Sequence, residues 1–129
     1  MTVSIYLVDD NLTFLKAVSG FLGEIPDVRV IGQSTRGKEG LSRIAKVKPD
    51  LVLLDINLPD ITGIEVAQAM STWTQPPLVL FLSMYDSEAY LEIAQNLGAI
   101  GFVNKADFAD ELPLLLGIFT TLEPRGTCQ

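Results

Sequence analysis

The sequence predicts a doubly wound α/β domain, a five-stranded parallel sheet covered by helices on both sides, and three observations carry that prediction. Five short apolar runs rich in β-branched residues recur along the 129 residues. Segments with helical apolar spacing separate them. Several runs are apolar at every position, which is the pattern of strands buried on both faces.

The elements follow in order. VSIYLV (Val3 to Val8) precedes Phe14, Leu15, Val18, Phe21 and Leu22, which share one helical face. VRVIG (Val28 to Gly32) precedes Leu41, Ile44 and Ala45, and LVLL (Leu51 to Leu54) precedes Ile64, Ala67 and Met70. LVLFL (Leu78 to Leu82) is followed by Tyr90, Ile93, Ala94 and Leu97, and IGFV (Ile100 to Val103) by a last helical segment, Leu112 to Leu122. Pro113 fits only the first turn of a helix, where its missing N–H has no partner anyway, so that helix is expected to start near Asp110 rather than Asp107. One domain over 1–122 and a polar tail over 123–129 is the expected organisation.

Composition narrows the chemistry. The 48% apolar content is enough for a real core. No apolar run approaches the roughly 20 residues of a membrane-spanning helix, and the N-terminus lacks the pattern of a signal peptide. No membrane contact and a cytoplasmic location are expected. Cys128 is the single cysteine, which excludes an internal disulfide or a cysteine metal cluster. A formal charge of −7 without a basic stripe argues against this chain holding nucleic acid by itself. Histidine is absent, so no Ser-His-Asp triad, imidazole base or phosphohistidine can belong to this chain.

In a doubly wound sheet, ligands collect at the carboxyl ends of the strands. Here those ends carry Asp9 and Asp10, Asp55, Ser83, and Asn104 with Lys105. Taken singly, each has an ordinary reading: Asp10 caps a helix, Ser83 caps a turn, Lys105 is a solvated lysine. Together at one edge they make a site. Three carboxylates repel one another unless positive charge compensates them, and a divalent ion with Lys105 would do so. Oxygen-only ligands around a site that also takes a phosphoryl oxygen suit Mg²⁺ better than Ca²⁺. Asp55 would then be free to act as a nucleophile toward phosphorus.

VDDN (Val8 to Asn11), LLDINLPDITG (Leu53 to Gly63) and LSMYDSEAYLEIAQNLGAIGFVNKAD (Leu82 to Asp107), in that order, resemble the receiver domain of two-component response regulators. The resemblance spans nearly the whole chain and is nearest to receivers that precede LuxR-type helix-turn-helix domains. It implies a flavodoxin-like, CheY-like (βα)5 fold with strand order 2-1-3-4-5. It also implies Asp55 as phosphoacceptor, Asp9 and Asp10 as the acidic pair that holds Mg²⁺ together with Asp55, and the backbone carbonyl of Asn57 as a further metal ligand. Ser83 resembles the switch hydroxyl, Lys105 the lysine that pairs with the phosphoryl group, and Phe102 the aromatic switch residue, although a core phenylalanine would sit there equally well. Pro59 and Gly63 match the family's turn after the acceptor strand.

The expected reaction is attack by Asp55 on a phosphohistidine of a sensor histidine kinase or phosphotransfer protein. Slow hydrolysis follows, and bulky Met84 beside Ser83 is expected to retard it. The expected output face is the fourth helix, fifth strand and fifth helix, with transcription as the anticipated readout. If Leu112, Leu115, Phe119 and Leu122 face the sheet, Leu114 and Ile118 are left outside, which a homodimer or partner would cover. Three alternatives compete. A haloacid dehalogenase-type phosphatase needs an aspartate where Asn57 stands, and a flavodoxin-like FMN carrier would have Asp9 and Asp10 repelling its phosphate. The third is a receiver-fold interaction module that is never phosphorylated.

Overall fold

The computed structural model describes residues 2–84 and 88–113. Its five strands are β1 (Val3–Val8), β2 (Val28–Ser34), β3 (Leu51–Asp55), β4 (Leu78–Ser83) and β5 (Gly101–Asn104). The helices between them are α1 (Leu12–Leu22), α2 (Gly37–Val47), α3 (Gly63–Ser71) and α4 (Glu88–Asn96). All strand pairs are parallel, in the order β2-β1-β3-β4-β5. The predicted fold class and strand order are those observed.

β3 explains why its sequence is apolar throughout. Leu51 and Leu53 enter one core with Ile5, Leu7, Leu80 and Val103 of the sheet, Leu15, Val18 and Leu22 of α1, and Leu112. Val52 and Leu54 enter the opposite core, against Ile44 of α2, Val66, Ala67 and Met70 of α3, and Ala94 of α4. Each of the Val, Leu, Ile and Met side chains among them contributes about 1.5–3 kcal/mol on burial. A one-residue slip of register would exchange the two cores.

Parallel pairing carries four strands further than their apolar runs. Asp55 pairs with Leu82 and Ser83 with Asn104, so each of these polar residues closes a strand instead of opening a loop. β2 likewise continues to Ser34, which is buried and hydrogen-bonded to the Tyr6 hydroxyl. The ladder therefore holds these polar side chains on paired backbone.

Two sequence expectations need correction. The buried face of α2 is Gly37, Gly40 and Ile44, while Ala45 is exposed. Glycine is invisible to an apolar count, yet here it admits close approach: a Cβ on Gly40 would stand 3.1 Å from Val8 Cγ2. The C-terminal helix also begins earlier than near Asp110. A 3-10 turn at Lys105–Asp107, opened by the Asn104 side chain accepting from Ala106 N–H at 2.9 Å, runs directly into helical backbone over 108–113. Pro113 thus lies beyond the first turn. The expectations for Tyr90, Leu114, Leu115, Ile118, Phe119, Leu122, Cys128 and the tail over 123–129 fall outside the described side chains.

Candidate functional site

Chain order reverses at β1, which has β2 on one side and β3 on the other, and the crevice this creates lies at the carboxyl ends of the strands. Asp9 follows β1 there and Asp55 ends β3, both buried. Lys105, directly after β5, is also buried, which rules out a solvated loop lysine. Its Nζ stands 2.6 Å from Asp9 Oδ2 and 3.0 Å from Asp55 Oδ2.

The remaining lone pairs are partly used. Asp9 Oδ1 accepts from Asn11 N–H at 2.8 Å, and Asp55 Oδ1 accepts from Asn57 N–H at 3.2 Å. Asp9 Oδ2 is buried with the Lys105 ammonium as its charged partner, off the line of a well-directed hydrogen bond. Asp10 is exposed, and the cap of α1 is Asn11, whose side chain accepts from Phe14 N–H at 3.0 Å. Carboxylate oxygens of Asp9, Asp10 and Asp55 all lie within 4.8 Å of one another. With one ammonium facing them, this set of hard oxygens still carries excess negative charge and fits a divalent cation.

Electrostatics follow from this packing. Burial is the largest influence on Asp55, followed by repulsion from Asp9. Lys105 and the Asn57 N–H oppose them, and the carboxyl settles at about 6 instead of its ordinary 3.8. Burial works to lower the Lys105 ammonium, but the two carboxylates facing it outweigh burial and leave it above its usual value.

The other expected residues surround this centre. Ser83 is fully buried at the end of β4, the strand that flanks β3. Met84, next to it, is 59% exposed at the rim. Phe102 is half-buried on β5 and packs on the core that faces α2, α3 and α4. Asn57, Pro59 and Asp60 are exposed in the loop after β3. Gly63 closes that loop. Its N–H donates to the Ile56 carbonyl at 2.8 Å, and a Cβ there would stand 2.1 Å from the Asp55 carbonyl oxygen. Close approach, with an ordinary φ, is what demands glycine at this position.

Two contributors escaped the sequence reading. Lys105 Nζ lies 4.9 Å from the centre of the Phe14 ring, within cation–π range, and Phe108 meets both Phe14 and Phe21 edge to face. Helical spacing places Phe14 only on a core face. Asp60 caps α2 from a distance: Oδ1 accepts from Gly37 N–H at 2.8 Å and Oδ2 from Lys38 N–H at 2.9 Å. Those bonds, Lys38 first, hold its carboxyl down at about 2. No local pattern signals either contact.

The chain matches the family model of the response regulator receiver domain over residues 5–115. It is 33% identical over 110 residues to the transcriptional regulatory protein UhpA of Escherichia coli (strain K12), covering 85% of this chain and 55% of that one. It is 36% identical over 105 residues to a protein-glutamate methylesterase/protein-glutamine glutaminase of Geobacillus kaustophilus, covering 81% of this chain and 30% of that one. The chain therefore spans about a third to about half the length of these curated relatives. In fold it is similar to a two-component response regulator of the LuxR family from Aurantimonas sp. SI85-9A1, with a TM-score of 0.87 at 24% identity, covering 98% of this chain and 91% of that one.

Proposed function

The chain belongs to the response regulator receiver domain family, and from that premise we propose that Asp55 is its phosphoacceptor. The observation that supports this most directly is the pairing of Asp55 with Asp9 through Lys105 at the carboxyl edge of the sheet. Asp55 Oδ2 faces the ammonium and Oδ1 the Asn57 N–H, so the carboxylate is oriented before any donor arrives.

In the proposed reaction an Asp55 oxygen forms a bond to phosphorus as the bond from phosphorus to the donor's imidazole nitrogen breaks, and the imidazole departs with the electron pair. The donor histidine comes from a sensor histidine kinase or phosphotransfer protein, since this chain has none. Asp9, Asp10 and Asp55, with the Asn57 carbonyl, are the residues that would hold Mg²⁺. Bound there, the ion supplies charge neutralisation for the transferring oxygens. Lys105 holds the phosphoryl group from the protein side, and Ser83 supplies a hydroxyl to it once it is attached. Phe102 then repacks as Ser83 moves.

The output is proposed to leave through α4, β5 and the C-terminal helical segment, either as a homodimer or to a separate partner. Leu91 and Ile93 of α4 are exposed apolar residues, 44% and 36% accessible, which supports a contact on this face. A transcriptional output fits the UhpA relationship. The esterase activity named for the methylesterase relative is not carried over, because the similarity covers 30% of that protein. We read this chain as a signalling phosphoacceptor, acting in the cytoplasm. Among the described residues no helix is long and apolar enough to cross a membrane.

The deciding experiment incubates the protein with Mg²⁺ and a small acyl phosphate and follows intact mass. A single phosphoryl addition that is absent from Asp55→Asn is expected. No addition to the wild type would favour a receiver-fold interaction module that is never phosphorylated.

A further inference from the structure

We propose that Asp60 is a positioning residue for the phosphoacceptor site. By tying its loop to the first turn of α2, it holds the segment bearing Asn57 in the shape that completes the cation site. The inference rests on the reading of Asp9, Asp10, Asp55 and the Asn57 carbonyl as cation ligands.

A helix leaves its first N–H groups without partners inside the helix, and a side chain at the cap position ordinarily supplies one. In α2 that position is Arg36, extended at φ −131° and ψ 147°, and it makes no side-chain cap. The missing acceptors come from Asp60, 22 and 23 residues further along the chain, with one carboxylate oxygen on each of two successive N–H groups at 2.8 and 2.9 Å. Negative charge also suits the positive end of the helix. Although Asp60 is exposed, both of its oxygens are committed.

The seam beneath this bond is tight. A Cβ on Gly37 would stand 2.6 Å from Ile61 Cγ1 and 2.9 Å from Val66 Cγ2, so α2 meets the loop in van der Waals contact as well as by hydrogen bonds. At its far end the loop is pinned by Gly63 against the backbone of Asp55 and Ile56. In the chain Asn57 lies between Ile56, which accepts the Gly63 N–H, and the tethered Asp60, and its own N–H bond to Asp55 is long, at 3.2 Å. With Asp60 released, Asn57 would be held from the Ile56 side and by that long bond, without the tether that follows it. Groups one step removed from a metal affect its affinity in this way, commonly by about 10- to 100-fold.

Isothermal titration calorimetry with Mg²⁺ alone tests the proposal on the whole chain, alongside thermal unfolding without metal. Asp60→Ala is expected to weaken Mg²⁺ binding about tenfold and to lower Tm. A second variant, Arg36→Ser combined with Asp60→Ala, gives α2 a local cap without restoring the tether. It is expected to regain most of the lost Tm and none of the lost affinity. Wild-type affinity in Asp60→Ala, or recovery of affinity together with Tm in the double variant, would overturn the proposal and leave Asp60 a helix cap only. Failure of the wild type to bind Mg²⁺ is a separate result: it removes the cation-site reading, and the inference with it.

Discussion

Two aspartates bracket β3, and the fold treats them in opposite ways. Asp50, at the amino end, has Oδ2 accepting from both the N–H and the hydroxyl of Ser4, at 2.9 and 3.0 Å, while the Ser4 hydroxyl accepts from Asp50 N–H at 3.0 Å. That carboxylate is enclosed in a reciprocal clamp joining β1 to β3. Asp55, at the carboxyl end, faces a second carboxylate and one ammonium, and burial raises its pKa to about 6. A strand-end carboxylate supplied with N–H and O–H donors is structural. One crowded by another carboxylate, with a single ammonium shared between the two, is poised for a cation or for chemistry.

The contrast is tested most strongly by exchanging the two roles. Asp55→Asn is expected to abolish the phosphoryl adduct seen by intact mass, whereas Asp50→Asn should keep it. Loss of the adduct in both variants would mean that the two ends are not functionally distinct. Next in size is Lys105→Met, which leaves Asp9 and Asp55 facing each other without their ammonium. Adduct formation should slow about 100-fold, the scale for removing one electrostatic stabiliser. Stability without metal should fall by about 3 kcal/mol, as when a buried pair loses one partner.

Asp50→Ala should cost about 1–3 kcal/mol in chemical denaturation, because the Ser4 donors lose their acceptor. Its phosphorylation rate should stay at the wild-type level.

The pH dependence has opposite signs for differently placed carboxylates. Asp55 has a folded pKa above its ordinary value, so in metal-free protein its contribution makes stability fall as pH rises from 3.8 through about 6. Asp60 has a depressed pKa, so its contribution is present above 3.8 and is lost as pH falls toward about 2. Thermal unfolding of the metal-free protein across pH should therefore show Asp55→Asn gaining on the wild type as pH rises from 3.8 to about 6 and keeping that gain above it. Equal curves would remove the burial account of Asp55. The smallest effect is expected at Met84: Met84→Ala should shorten the acyl-phosphate half-life a few-fold by opening the rim beside Ser83. A longer half-life would contradict a shielding role for the exposed methionine.

Much of the fold was legible in the sequence because both of its periods are visible one residue at a time. β3 reads as a doubly buried strand from Leu51 to Leu54 alone, and α1 from Leu15, Val18 and Leu22. The candidate site was legible for a related reason: parallel strands bring their carboxyl ends to one edge, so residues read from separate strand ends had to converge. Asp9, Asp55 and Lys105 do so within ion-pair distance. What escaped were the contacts that no periodicity encodes. The buried face of α2 is built partly of glycine, Phe14 serves Lys105 as well as the core, and the C-terminal helical segment starts early because Asn104 opens a 3-10 turn before it.

By itself, then, the sequence determined the alternation of elements, the two-sided core and the set of polar residues at the strand ends, since each follows from local side-chain chemistry. Only the tertiary structure decided how those residues are used. Ladder register made Asp55 and Ser83 the last paired residues of their strands, burial raised one carboxyl, and the meeting of α2 with a loop more than twenty residues away turned Asp60 into its cap. Such contacts depend on distances through space between segments remote in the chain, and those distances exist only after the cores on both faces of the sheet have packed.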